Sequence, residues 1–237
     1  MTKDEEYQEQ QKQANKSMMW IGIASIVMMF AGMTSAYIVL QDDHFWVKTS
    51  LPTMFAISSV VIALSSLSMW WAVRSAKNDN QGGLRNGLIL TLILGIGFSA
   101  TQYLGWSQLT KEGRFFIGKV SDMTGTYGED YLIMKSGEPL LHSEGNFYAP
   151  GDVNYTRPLN ERVDNAFNVS TSFLYVISGL HMAHLAGGIL ALLYTLVFAF
   201  RGRYNSENSN GLEVCSIYWH FLDILWIYLY LFFLFIR

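Results

Sequence analysis

The sequence predicts an all-α membrane protein, a bundle of five transmembrane helices. Three observations carry that prediction. Charged residues are only 15% of the 237 while hydrophobic residues are 51%, whereas a soluble domain averages about 25% charged. Five separate stretches each hold roughly the 20 mostly apolar residues that a bilayer-crossing helix needs. Their apolar runs are continuous, not alternating, which argues for helices over a barrel.

The spans are expected at about Met18–Leu40, Leu51–Val73, Asn86–Gln108, Val169–Phe200 and Leu212–Ile236. The first follows a polar segment containing Lys3, Lys12 and Lys16. It is too long for the apolar region of a secretory signal, so it reads as an uncleaved helix. The fourth is long enough to tilt or to project beyond the bilayer. Lys and Arg concentrate in the N-terminal tail, in the 74–85 connection (Arg74, Lys77, Arg85) and in the 201–211 connection (Arg201, Arg203). That bias places the N-terminus inside and the C-terminus outside. The long 109–168 segment is then an outer loop. Its short β-favouring runs, Phe115–Val120 and Tyr131–Met134, alternate with Gly, Asp, Ser and Pro. One or two small hairpins or an ordered cap are expected there. The whole chain, 1–237, reads as a single domain.

Several function classes are disfavoured. A net charge of -3 supplies no basic surface for nucleic acid. Cys215 is the only cysteine, which excludes an internal disulfide and a cysteine-rich metal site; it reads as a small buried core residue. No phosphate-binding glycine loop, nucleophile elbow or internal repeat is present.

The ionisable residues within the spans are His181, His184, Glu213, His220 and Asp223, all on the last two. A charged side chain at mid-bilayer costs about 2.5–3.5 kcal/mol on insertion scales, so such groups normally face the bundle and find partners. His181 and His184 are spaced i, i+3, as are His220 and Asp223, which predicts a shared face for each pair. Asp223 is expected to meet a donor from another span or turn. Three readings stay open on these residues alone: hydrogen bonding across helices, a haem or metal site, and a proton path. Gly179, Gly187 and Gly188 are expected to let helices approach closely. Ser65, Ser66 and Ser68 can bond to the backbone or across helices. Trp219, Trp226, Tyr228 and Tyr230 read as interfacial anchors or as the lining of a lipid-filled groove.

The last span carries a family resemblance. "GLEVCSIYWHFLDILWIYLY" (Gly211–Tyr230) closely resembles the final helix of subunit III of the haem–copper oxidases. The preceding "SGLHMAHLAGG" (Ser178–Gly188) is similar to that family's G-x-H-x-x-H-x-x-x-G, carried here by Gly179, His181, His184 and Gly188. "LGIGFSATQ" (Leu94–Gln102) and "SSLSMWWA" (Ser65–Ala72) are similar to two further family segments. The resemblance covers all five spans and looks like the short bacterial form. It implies a subunit of cytochrome c oxidase without redox centres of its own, in the bacterial cytoplasmic membrane. Haem and copper are then expected in partner subunits I and II. It also implies packing against subunit I, phospholipid held in a cleft, support of proton uptake, and a larger respiratory supercomplex as a further candidate partner. His181, His184, Glu213, His220, Asp223 and Trp219 become structural or lipid-cleft residues on that reading. Catalytic, cofactor-binding and metal-binding residues are expected to be none in this chain. Subunit III of a quinol oxidase is the near alternative, and a stand-alone b-type cytochrome using His181, His184 and His220 is the distant one. A transporter is disfavoured because no inverted repeat or broken helix pair is evident.

Two departures matter. Short family members carry Ser-Glu-Val-Met-x-F in the first helix, where this chain has "SIVMMF" (Ser25–Phe30). Ile26 therefore replaces a membrane glutamate and is expected to pack as an inert apolar residue. Beyond Gln102 the family often has a glutamate and a tyrosine, where this chain has Gly105 and Trp106. Proton-collecting roles of those carboxylates do not transfer.

Overall fold

The structure is a computed structural model that describes residues 3–206 and 208–236. Among these, five helices are long and apolar enough to cross a membrane. They are α1 (Lys3–Asp43), α2 (Thr53–Lys77), α3 (Gln81–Lys111), α5 (Val169–Phe200) and α6 (Asn210–Phe235), with a short α4 (Asn160–Asp164) between α3 and α5.

α1 is longer than its apolar span. The helix runs back through the polar Glu-, Gln- and Lys-rich segment, which contains no Gly or Pro before Gly22; such residues propagate a helix readily. α2 and α3 join through a tight connection in which Asp79 adopts the left-handed conformation (φ 54°). Asn80 caps α3 by accepting from the Gly83 amide at 2.9 Å, which satisfies one of the free amides of the first turn. Asn168 caps α5 in the same way through Thr171 N at 3.2 Å. α6 packs against α1, α2 and α5, and α3 packs between α2 and α5. The bundle core therefore centres on α6, where Leu212, Trp219, Leu222, Trp226 and Leu229 are at most 1% exposed.

Polar contacts sort the connections onto two ends. At one end, Lys16 and Lys77 meet Glu213, the Ser206 amide donates to Asp79 Oδ1, and Gln81 Nε2 donates to Tyr204 O. At the other, Gln41 Nε2 donates to Ile236 O and Arg114 Nη1 to Ser50 O.

At this second end sits an ordered cap. β1 (Trp46–Thr49), from the α1–α2 connection, pairs antiparallel with β2 (Tyr131–Lys135), placing Val47 opposite Ile133. β2 continues into β3 (Glu138–Pro139). A separate hairpin joins β4 (Leu141–Ser143) and β5 (Asn146–Tyr148). Val47, Val120, Ile133, Leu140 and Val163 form a small buried cluster of their own. The expected hairpins are present, but Phe115–Val120 is not a strand. It is a turn that pairs only through one bridge, Lys119 to Phe167, and its end runs into a short 3-10 turn, Val120–Asp122. β1 had no counterpart in the sequence reading, because its partner lies more than eighty residues away. The first turn of α5 belongs to the cap: Ser170 Oγ donates to Val47 O at 2.9 Å. The extra length of α5 is thus used in part to join the cap.

Candidate functional site

The polar residues of α6 face a row of serines on α2. The two helices run antiparallel, so successive α6 donors meet successive α2 acceptors. Trp219 Nε1 donates to Ser65 Oγ at 2.7 Å, and Trp226 Nε1 donates to Ser59 Oγ at 3.1 Å. Beside the first of these, His220 Nδ1 and Ser66 Oγ lie 2.6 Å apart. A neighbouring rung joins α2 to α3, where Gln102 Nε2 donates to Ser58 Oγ at 2.7 Å. Ser68 Oγ and Thr91 Oγ1 share a hydrogen at 2.7 Å. In an apolar surround each such bond satisfies two groups that have no water to turn to. Trp219 and Trp226 are thus buried core residues, and the interfacial-anchor expectation for them is corrected. Tyr228 fits that expectation better: it is about half exposed, 47%, though its hydroxyl reaches Thr34 of α1.

Close approach makes room for the large rings. A Cβ on Gly95 would lie 2.8 Å from the Trp219 ring, and one on Gly188 would lie 2.9 Å from Leu222 Cδ1. Gly179 and Gly187 meet nothing within 4 Å among the described residues, so of the three glycines expected to bring helices together only Gly188 does so among them.

The paired-face expectation for His181 and His184 is also corrected. His181 is fully buried between Phe98 of α3 (5.8 Å between centroids) and Trp226 of α6 (5.2 Å). His184 turns toward Phe30 of α1 (5.8 Å) and places Nδ1 2.7 Å from Leu180 O. A three-residue step rotates a helix by about 300°, leaving some 60° between the two side chains. That is enough for them to enter different grooves. With His220 of α6 turned to Ser66 of α2, the three histidines contact different neighbours. Among the described residues no three His, Cys, Asp or Glu side chains converge as metal ligands would.

Asp223 faces inward as expected, 2% exposed, and the donor beside its carboxyl is the Ser66 hydroxyl of α2. No described group makes a hydrogen bond of proper geometry to either carboxylate oxygen, and the same holds for both ring nitrogens of His181. The Ser66 hydroxyl also pairs with His220 Nδ1, and as one donor with two acceptor sites it stands between the imidazole and the carboxyl.

Glu213 departs from the mid-membrane expectation. It lies in the first turn of α6 and meets Lys16 Nζ at 2.7 Å and Lys77 Nζ at 3.0 Å, while accepting from Ser209 Oγ at 3.2 Å. It ties the start of α6 to α1 and α2 at the bundle end. The charge-rich ends of those helices were the available signal for these partners. Ser59 and Trp106, which donates to Ser178 Oγ at 3.1 Å, carried none. Ile26 packs, partly buried, against the core cluster.

Comparison with known proteins places this geometry. A profile described as cytochrome c oxidase subunit III matches residues 153–236, the stretch that contains α5 and α6. A cytochrome c oxidase subunit 3 from Thermostichus vulcanus is 38% identical over 211 residues, covering 86% of this chain and 78% of that protein. The chain belongs to the cytochrome c oxidase subunit III family. Lower identity extends along similar lengths. A probable cytochrome c oxidase subunit 3 from Nocardia farcinica is 24% identical over 92% of this chain and 85% of its own length. The cytochrome c oxidase subunit 3 of Bacillus sp. strain PS3 is 20% identical over 89% and 80%. This subunit III chain is a multi-pass membrane protein and part of an oxidoreductase complex.

Proposed function

We propose that this subunit III is a non-catalytic stabilising subunit of a bacterial cytochrome c oxidase in the cytoplasmic membrane. It packs against subunit I, holds phospholipid and supports proton uptake while oxygen is reduced elsewhere in the complex. Haem and copper belong to subunits I and II. The observation that carries this reading is the use made of the α6 motif. Trp219, His220 and Trp226 direct polar atoms to Ser65, Ser66 and Ser59 of α2, as interhelix fasteners do.

The end bearing Lys16, Lys77, Arg85, Arg201 and Arg203 faces the cytoplasm on the positive-inside argument, and the cap lies outside. Cap and bundle are joined through β1 and the first turn of α5. Purification in mild detergent tests the assignment. Subunits I and II of an oxidase should accompany the chain, the complex should oxidise cytochrome c, and the separated chain should show no haem absorption. A haem spectrum that stays with the isolated chain, or a complex lacking subunit I, would overturn it.

A further inference from the structure

The turn that leaves α3 presents its apolar residues outward. Phe115, Phe116 and Ile117 are 44%, 50% and 76% exposed, and Phe167, across the bridge from Lys119, is 60% exposed. A cap standing in water would gain by burying four such side chains, which lie close to the cap's own apolar cluster. Contiguous exposed apolar groups of this kind mark a contact surface.

The level of the turn says what that surface meets. The Tyr175 hydroxyl, on the second turn of α5, donates to Trp106 O at 3.3 Å and to Arg114 O at 3.1 Å. The Phe116 ring lies 6.2 Å from the Tyr175 ring. The turn therefore descends to the depth of Trp106 and Tyr175, residue types that gather where a bilayer meets water. On the adjoining turns of the spans, Tyr103 is 70% and Val176 38% exposed, so the apolar belt reaches this level.

Irregular backbone enters an apolar layer only when its polar groups are satisfied internally. Here Phe116 O accepts from Ser172 Oγ at 2.7 Å, Gly118 O from Asn168 N at 2.8 Å, and the Arg114 amide reaches Leu109 O at 2.9 Å. The charged members of the segment avoid the tip. Arg114 is turned inward, 5% exposed, to Ser50 O and Glu112. Lys111 and Lys119 are exposed on either side, where phosphate headgroups would lie.

We propose that Phe115–Ile117, with Phe167, forms an interfacial wedge that inserts into the lipid leaflet on the cap side and seats the cap on the bilayer. The wedge rests on the membrane reading of the five helices and is independent of the oxidase partners. Photo-crosslinking tests it. The complex is prepared with Ile117→p-benzoylphenylalanine and reconstituted in phosphatidylethanolamine–phosphatidylglycerol vesicles. Tyr103→p-benzoylphenylalanine on the span and Val153→p-benzoylphenylalanine on the cap (74% exposed) serve as references. After irradiation the peptide containing position 117 should gain the mass of a phospholipid, as the position 103 peptide does, while the position 153 peptide does not. A position 117 peptide free of lipid like that of 153, or joined to another polypeptide, would overturn the wedge. Absence of lipid at position 103 would instead overturn the membrane reading itself.

Discussion

At Gly95 a single hydrogen atom keeps the Trp219 indole in place. Alanine there would put a methyl group 2.8 Å from the ring. Overpacking of this kind costs about 1–3 kcal/mol, so Gly95→Ala should lower the thermal midpoint of the detergent-solubilised chain. Trp219→Phe alone removes the bond to Ser65, a loss of about 0.6 kcal/mol on the average for interhelix bonds in membranes, together with ring contacts. Combined, the two changes should cost less than their sum, because the smaller ring vacates the space the new methyl needs. Simple additivity in that double-mutant cycle would contradict the packing described. Asp223 predicts an unusual tolerance. Among the described residues its polar neighbour is the neutral Ser66 hydroxyl, outside strict hydrogen-bond geometry, so a charge there is poorly compensated. Asp223→Asn keeps the shape and removes that charge, and should leave the midpoint unchanged or raise it. A fall comparable to that of Gly95→Ala would mean that the carboxylate is paired after all.

Between elements the decisive contact is the clamp of α6 to α1 and α2 through Glu213. Its lysines are about half exposed, 42% and 56%, and exposed ion pairs are worth about 0.2–1 kcal/mol each before salt screening. Glu213→Gln should therefore destabilise by more than Lys16→Met or Lys77→Met singly. The gap should shrink in high salt, measured by unfolding in detergent at two ionic strengths; a gap indifferent to salt would exclude an electrostatic clamp. In the cap, the Asp152 carboxylate accepts from the amides of Thr156 and Arg157 and from the Thr156 hydroxyl. The Thr156 amide bond leads in holding its pKa below the ordinary 3.8. A lowered value means that the turn's extra stability is present above the unfolded pKa and is lost as pH falls through the folded one. Hydrogen exchange at Thr156 and Arg157 should accordingly lose protection only in acid. Asp152→Asn should show weaker protection with no such acid step.

For the molecule as a whole, the cap has its own apolar cluster and is joined to the bundle through β1 and the start of α5. Ile133 is fully buried at the centre of that cluster. Ile133→Ala should cost about 2–5 kcal/mol, enough to open a small cap while the spans stay folded. Limited proteolysis from the cap side would then cut within 109–168 and leave membrane-embedded helical fragments, with helical circular dichroism largely retained. Loss of the whole bundle would show that cap and spans unfold together.

What the sequence by itself determined is whatever depends on local composition. Five apolar runs specify five spans, because each helix satisfies its own backbone in lipid without help from a neighbour. The run from Gly211 to Tyr230 was likewise legible as a family motif, since such a motif is a string of residue types in order. Tertiary structure alone decided the partners. Whether Trp219 meets Ser65 or its own neighbours depends on the register of two antiparallel helices 154 residues apart in the chain. The separation of His181 from His184, the capture of Glu213 by two lysines, and the recruitment of Trp46–Thr49 into a sheet with Tyr131–Lys135 have the same origin. Each sets a residue against groups far apart in sequence, which only packing brings into ring contact or within the roughly 3 Å reach of a hydrogen bond or ion pair.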